Sequence, residues 1–154
     1  MNELIHTFYK AFTELDAETM ASCYHTEVIF EDPAFGKLKG EHAGNMWRML
    51  CVSQKGKDFR ITYSDIHTNA HSGSASWHAF YTFSKTGRKV HNSIVAQFEF
   101  KDGRIIKHTD EFNLHRWAKQ AIGFKGLLLG GTPFFRKKLQ EQTNLLLNTF
   151  EESL

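Results

Sequence analysis

Apolar residues recur first at helical spacing and later at strand spacing, and that change of period divides the chain. Leu4, Ile5, Phe8, Phe12 and Leu15 follow an amphipathic helix over residues 2–15. Asp16 suits the N-cap of a short second helix, with residues 19–24 carrying Met20, Cys23 and Tyr24. Residues 28–31 read as a brief extended segment closed by Asp32-Pro33, since proline disfavours helix for the residue before it. A loop with two glycines is expected over 34–40. Helical spacing then returns over 41–55 through Ala43, Met46, Trp47, Leu50 and Val52.

From Phe59 the period is two. Residues 59–70, 74–83, 89–100 and 104–116 predict four strands, joined by turns at 71–73, Thr86-Gly87 and 101–103. A two-residue turn at Thr86-Gly87 pairs Phe83 with Val90, Tyr81 with Asn92, Ala79 with Ile94 and Trp77 with Ala96, which gathers large apolar side chains on one face. A three-residue loop at 101–103, with Gly103 left-handed in a bulge, pairs Phe98 with Ile106, Ala96 with His108 and Ile94 with Asp110. The last strand then turns Ile106, His108, Asp110, Phe112 and Leu114 inward. The opposite face holds His78, Phe80, Thr82, His91, Ser93, Val95, Gln97, Thr109 and Glu111. That mixture is too apolar for a solvated sheet and too polar for a core, so it predicts a homodimer surface.

The tail differs in character. Residues 117–122 extend from the last strand, 123–131 form a glycine-punctuated apolar loop, and Thr132-Pro133 opens a helix by cap and first-turn proline. Phe135, Leu139, Leu146 and Phe150 suit a helix packed on its own domain or on a partner subunit. Attachment to a membrane surface through Phe134, Phe135 and Arg136-Lys137-Lys138 is the weaker alternative, because three charges make a thin basic face.

With 154 residues the chain builds one core, and a single domain over 1–154 is expected, its core 1–116 and its helical extension 117–154. Nineteen basic and seventeen acidic residues in no long run of either sign exclude the electrostatic footprint of nucleic-acid binding. Fourteen Phe suggest large rings around a hollow. Two cysteines, in predicted helices, fit reduced thiols in the cytoplasm. No apolar run is long enough to span a bilayer, and no signal peptide is expected from the first residues.

Candidate chemistry centres on His108 and Asp110. A carboxylate and an imidazole on an otherwise apolar face are costly unless each satisfies the other or a ligand. Partly desolvated among Phe112, Trp77 and Ile94, Asp110 could take a proton from a carbon acid while His108 polarises the substrate oxygen or returns the proton. Asp32 at the mouth could be a second acid or base. The plainer account has His108 and Asp110 as a buried pair and Asp32 as a turn cap. Tyr81 and Asn92 are candidates to orient a ligand's polar end, and Trp47 is pocket wall or core. No third inward ligand completes a metal site, and no cofactor is implied.

Three helices, a short strand bearing FEDPAFG, Gly40, the later KDGRI and a meander ending in an inward acid resemble the nuclear transport factor 2-like superfamily, in its SnoaL-like and ketosteroid isomerase-like branches. The resemblance covers residues 1 to about 116, and the tail is similar to an extension in one group of SnoaL-like proteins. It implies an α+β fold of cystatin-like topology, a cone-shaped antiparallel sheet wrapped around three N-terminal helices, with a pocket for an apolar small molecule between them. It also implies an isomerase or cyclase acting by proton transfer, or else a ligand-binding or dimeric scaffold domain, since this fold hosts all of these. Asp32 matches the isomerases' proton-shuttling aspartate, but Phe8 stands at their oxyanion tyrosine, with Tyr9 one place off and facing elsewhere, and Ala96 at their oxyanion acid. Asp110 resembles the last-strand aspartate of SnoaL-like cyclases. The epoxide hydrolase branch pairs its acids with an inward arginine, which this sequence lacks.

Overall fold

Leu15, with φ at 55°, ends the first helix, because no residue continues a right-handed helix from there. In the computed structural model, which describes residues 1–154, α1 spans Asn2–Thr13 and α2 spans Ala17–Ser22. Asp16 starts α2 as expected, its carboxylate accepting from the Thr19 N–H at 3.1 Å. The chain then enters β1 (Tyr24–Asp32) and β2 (Gly36–Lys39), followed by α3 (Glu41–Gln54). Strands β3 (Arg60–Thr68), β4 (Ser72–Phe83), β5 (Arg88–Lys101) and β6 (Arg104–Glu111) complete one sheet of order β2-β1-β6-β5-β4-β3. It is antiparallel except where β1 runs parallel to β6. The sheet is curved and open, and its concave face buries Trp77, Ile94, Ala96 and Phe98 against Phe8, Phe12 and Trp47 of the helices. The expected cone is present.

Several boundaries differ from the sequence reading. The brief strand at 28–31 begins four residues earlier, at Tyr24, which had been placed in a helix. The loop expected over 34–40 contains β2, paired to β1 from Ile29↔Lys39 to Asp32↔Gly36. The last strand stops at Glu111, and Leu114 opens a new helix, α4 (Leu114–Ile122), rather than facing inward on the sheet. Asn113 explains the switch: its side chain accepts from the Arg116 N–H at 2.9 Å, a helix N-cap in a place that alternation alone reads as strand.

Both hairpin registers also differ, yet the inward faces survive. In the first, Tyr81 pairs with Val90, Ala79 with Asn92 and Trp77 with Ile94, because the turn takes the four residues 84–87. A slip of two leaves every side chain on its own face. In the second, Lys101 pairs with Arg104 across the two-residue turn Asp102-Gly103, both at positive φ as a primed turn requires. The extra residue lies instead inside β6. The register shifts between Phe100↔Ile105 and Glu99↔Lys107, so Ile106 bulges, Ile105 is fully buried, and His108 and Asp110 still point inward opposite Phe98 and Ala96.

The tail is helical throughout. After α4 comes α5 (Phe124–Leu129), in place of the expected loop, and then α6 (Pro133–Glu152), capped by Thr132 as read from the sequence. Gly126 of α5 lies so close to Ala118 that a Cβ would collide with its carbonyl. Helix α6 folds back onto its own domain, against α3 and the turn after β1.

Candidate active site

Strand β6 carries Asp110 to the wall of a cavity and His108 behind that wall, and a chain of hydrogen bonds sets their proton positions. The indole of Trp47 can only donate, and it donates to the Tyr24 hydroxyl at 2.8 Å. Tyr24 therefore has its own proton left for His108 Nδ1, also at 2.8 Å. Burial pushes the Tyr24 phenol well above its ordinary pKa, which keeps that proton in place. His108 Nε2–H then donates to Asp110 Oδ1 at 2.9 Å, and Trp77 Nε1–H donates to the same oxygen at 3.3 Å. Oδ1 has both protein donors and Oδ2 has none. Because Asp110 lines the cavity, Oδ2 is the atom left for a ligand.

Asp32 lines the same cavity. Its Oδ1 accepts from the backbone N–H groups of Ala34 at 2.9 Å and Phe35 at 2.7 Å, the turn-capping role foreseen for it, and its Oδ2 has no protein partner. Burial pushes the carboxyl up to about 7; the Phe35 N–H opposes this, and the charge of Asp110 adds to it. Three side chains of α6 hold the carbonyls of this turn. Gln140 donates to Pro33 O at 3.1 Å, Thr143 to Ala34 O at 2.7 Å and Asn144 to Phe35 O at 2.8 Å. Further along, Glu151 accepts from Asn45 at 2.8 Å and bonds His42, tying the end of α6 to α3.

The cavity that both acids line has a volume of about 990 Å³. Of the residues expected to line it, Asp32, Asp110, Trp47, Trp77, Tyr81, Asn92, Ile94 and Phe112 do. Phe8 and His108 do not. Both are fully buried behind the wall, 5.5 Å apart between ring centroids, so His108 acts on Asp110 and has no direct access to a ligand oxygen. Tyr81 accepts from Trp117 Nε1 at 2.7 Å and retains its own hydroxyl proton, while the Asn92 amide has no protein partner. The two are not cross-strand partners, as the corrected register shows, but they share the inward face. Tyr9, expected to face elsewhere, is fully buried in the core beside Tyr63 and Trp77, its hydroxyl unpartnered. No group of three or more His, Cys, Asp or Glu is arranged to hold a metal ion.

Tyr24 and the α6 residues Gln140, Thr143 and Asn144 were missed from the sequence. Tyr24 becomes visible only once it starts a strand parallel to β6. A run of polar residues at 140–144 within an apolar-spaced helix was the one available signal for the others.

Residues 5–108 match the family model of the SnoaL-like domain, and the chain belongs to that family. None of the curated proteins matches it. Among solved structures it is similar to TerC, co-crystallised with polyporic acid, at 20% identity and a TM-score of 0.60 over 72% of this chain and 89% of TerC. It is similar to a limonene-epoxide-hydrolase-like enzyme of Mycobacterium tuberculosis at 21% identity and 0.58, over 83% of this chain and 89% of that one. A provisionally assigned polyketide cyclase of Xanthomonas campestris pv. campestris gives 21% and 0.61, over 77% and 93%. These likenesses establish the nuclear transport factor 2-like fold.

Proposed function

We propose that the cavity takes an apolar, oxygenated small molecule of steroid or polyketide size and that Asp110 acts on it as general base, in an isomerase or cyclase reaction. The observation that carries this reading is the divided carboxylate of Asp110, with Oδ1 held by His108 and Trp77 and Oδ2 bare on an apolar cavity wall. A carboxylate fixed at one oxygen cannot swing away, so the other stays aimed at the bound molecule. Oδ2 removes a proton from a carbon next to a carbonyl, and the electron pair moves onto the carbonyl oxygen. Tyr81 and Asn92 have donors free for that oxygen. Asp32, whose carboxyl burial pushes up to about 7, can supply a proton to the product. His108 and Tyr24 are positioning residues, since they reach the substrate only through Asp110. The volume lies at the upper end of the range for small-molecule sites.

The family resemblance to ketosteroid isomerases extends to Asp32 and not to their oxyanion donors. The outer sheet face supports the expected homodimer through Phe80, stacked on His91 at 4.2 Å and covered by Arg60 at 4.1 Å, and through Val95, 49% exposed. Buried free Cys23 and Cys51 suit the cytoplasm.

Polyporic acid, the molecule bound by TerC, is a first probe. Binding to the folded state raises the melting temperature whatever the chemistry, so a shift in both the wild type and Asp110→Asn supports the pocket. A compound that binds and is turned over then tests the base. Unchanged turnover in Asp110→Asn removes Asp110 as the base, whereas binding without turnover of any compound leaves a ligand-binding or dimeric scaffold domain.

A further inference from the structure

Five of the eleven most exposed large hydrophobic side chains fall within residues 124–134: Phe124 at 73%, Leu127, Leu128 at 62%, Leu129 and Phe134 at 65%. This is the reverse of an ordinary surface helix, which turns its apolar face to the core. The cause lies in how α5 docks. It approaches α4 on its small side, with Gly126 and Gly130 against Ala118, and His115 Nε2–H donates to Leu127 O at 2.7 Å. The large side chains are thereby held outward on a fixed support.

The charge around them is one-sided. Residues 112–140 contain no Asp or Glu and six cations, Arg116, Lys119, Lys125, Arg136, Lys137 and Lys138. Among the six only Lys138 has an acidic partner, Glu141 at 3.6 Å. Arg116 and Lys119 lie on α4, the helix that supports α5. The sequence alone counted three clustered charges beside Phe134 and Phe135. In the structure Phe135 turns to the cavity, α5 adds Lys125 and four exposed apolar side chains, and α4 adds Arg116 and Lys119.

We propose that α5 and the first turn of α6 dock this protein on the surface of an anionic phospholipid bilayer, apolar side chains entering the acyl boundary while the surrounding cations meet phosphate head groups. A second copy fits this face less well, because a two-fold contact would set the same unpaired cations against themselves. No helix is long and apolar enough to cross a membrane, so the contact is peripheral. Ile122, Phe135 and Leu139, next to these elements, line the cavity, which brings its wall to the membrane where apolar molecules concentrate. Docking does not depend on the chemistry of Asp110.

The test is co-sedimentation of the full chain with vesicles of phosphatidylcholine alone or mixed with phosphatidylglycerol. Retention on the anionic vesicles should exceed that on the neutral ones by about tenfold or more and should fall as salt is raised. The exposed double substitution Phe124→Ser with Leu128→Ser should cut retention by about tenfold with an unchanged melting temperature, and Lys125→Glu with Lys137→Glu should do the same. No retention on anionic vesicles, or retention indifferent to both double variants, overturns the proposal. So does light scattering that finds the apolar double variant converted from dimer to monomer while vesicles capture neither form.

Discussion

Asp110 and Asp32 each commit one carboxylate oxygen to the protein and leave the other to the cavity, but their donors differ in kind. Asp110 is held by side chains from β4 and β6, and behind them by Tyr24 of β1 and Trp47 of α3. Asp32 is held by backbone N–H groups two and three residues further along its own turn. The setting of Asp110 is therefore a property of the whole core, whereas that of Asp32 is a local turn kept in shape by α6. An acid that must stay fixed through a reaction suits the first arrangement.

The largest effect expected from this contrast is at Asp110. Asp110→Asn keeps the shape and the Oδ1 acceptor but loses the base, so turnover should fall by about 10²–10⁴-fold with ligand binding retained. Turnover assays beside ligand-induced melting shifts measure both halves. Next, Tyr24→Phe leaves the buried Trp47 N–H and His108 Nδ1 without partners, and should cost about 2–4 kcal/mol in urea unfolding. A loss below about 0.5 kcal/mol would mean that the chain of donors does not hold Asp110, and the contrast with Asp32 would disappear.

Asp32→Asn sharpens the comparison through pH. The carboxyl sits near 7 in the folded protein against an ordinary value of 3.8, so the folded state holds its proton more tightly than the unfolded chain does. Wild-type stability should therefore fall as pH rises from about 4 to about 7 and stay lowered above that, while the variant escapes the loss. Discounted for solvent in the cavity, the variant should be more stable by about 1–2 kcal/mol at pH 8 and equal to the wild type near pH 4. Equal stabilities at both pH values would sink the assignment of Asp32 as the titrating acid. The smallest effect belongs to Thr143→Val, which removes one bond to Ala34 O and should cost about 0.5–1.5 kcal/mol. If it also lowered turnover as far as Asp110→Asn does, the Asp32 turn would be no less essential than the setting of Asp110.

How much of this could be read in advance follows the range of the forces involved. The face on which His108 and Asp110 sit was set by alternation, and it survived two wrong registers because a slip of two residues and a bulge placed elsewhere both restore the same parity. Caps at Asp16 and Thr132 were visible because they act over three residues. Asn113 has the same chemistry yet was overlooked, since Phe112 and Leu114 around it continue the alternation of a strand.

Alternation and local capping thus determined most of the elements and the inward pair, both consequences of neighbours along the chain. The cone fold and Asp32 as a candidate acid were legible through the family resemblance of FEDPAFG and the element order. Which of these residues touch a ligand was decided by tertiary structure. His108 was withdrawn behind Asp110 and supplied with Tyr24, a partner 84 residues away, because β1 runs parallel to β6. Helix α6 came to hold the Asp32 turn across more than a hundred residues. Spacing in sequence carries no record of such contacts, because chain folding alone sets which distant side chains become neighbours.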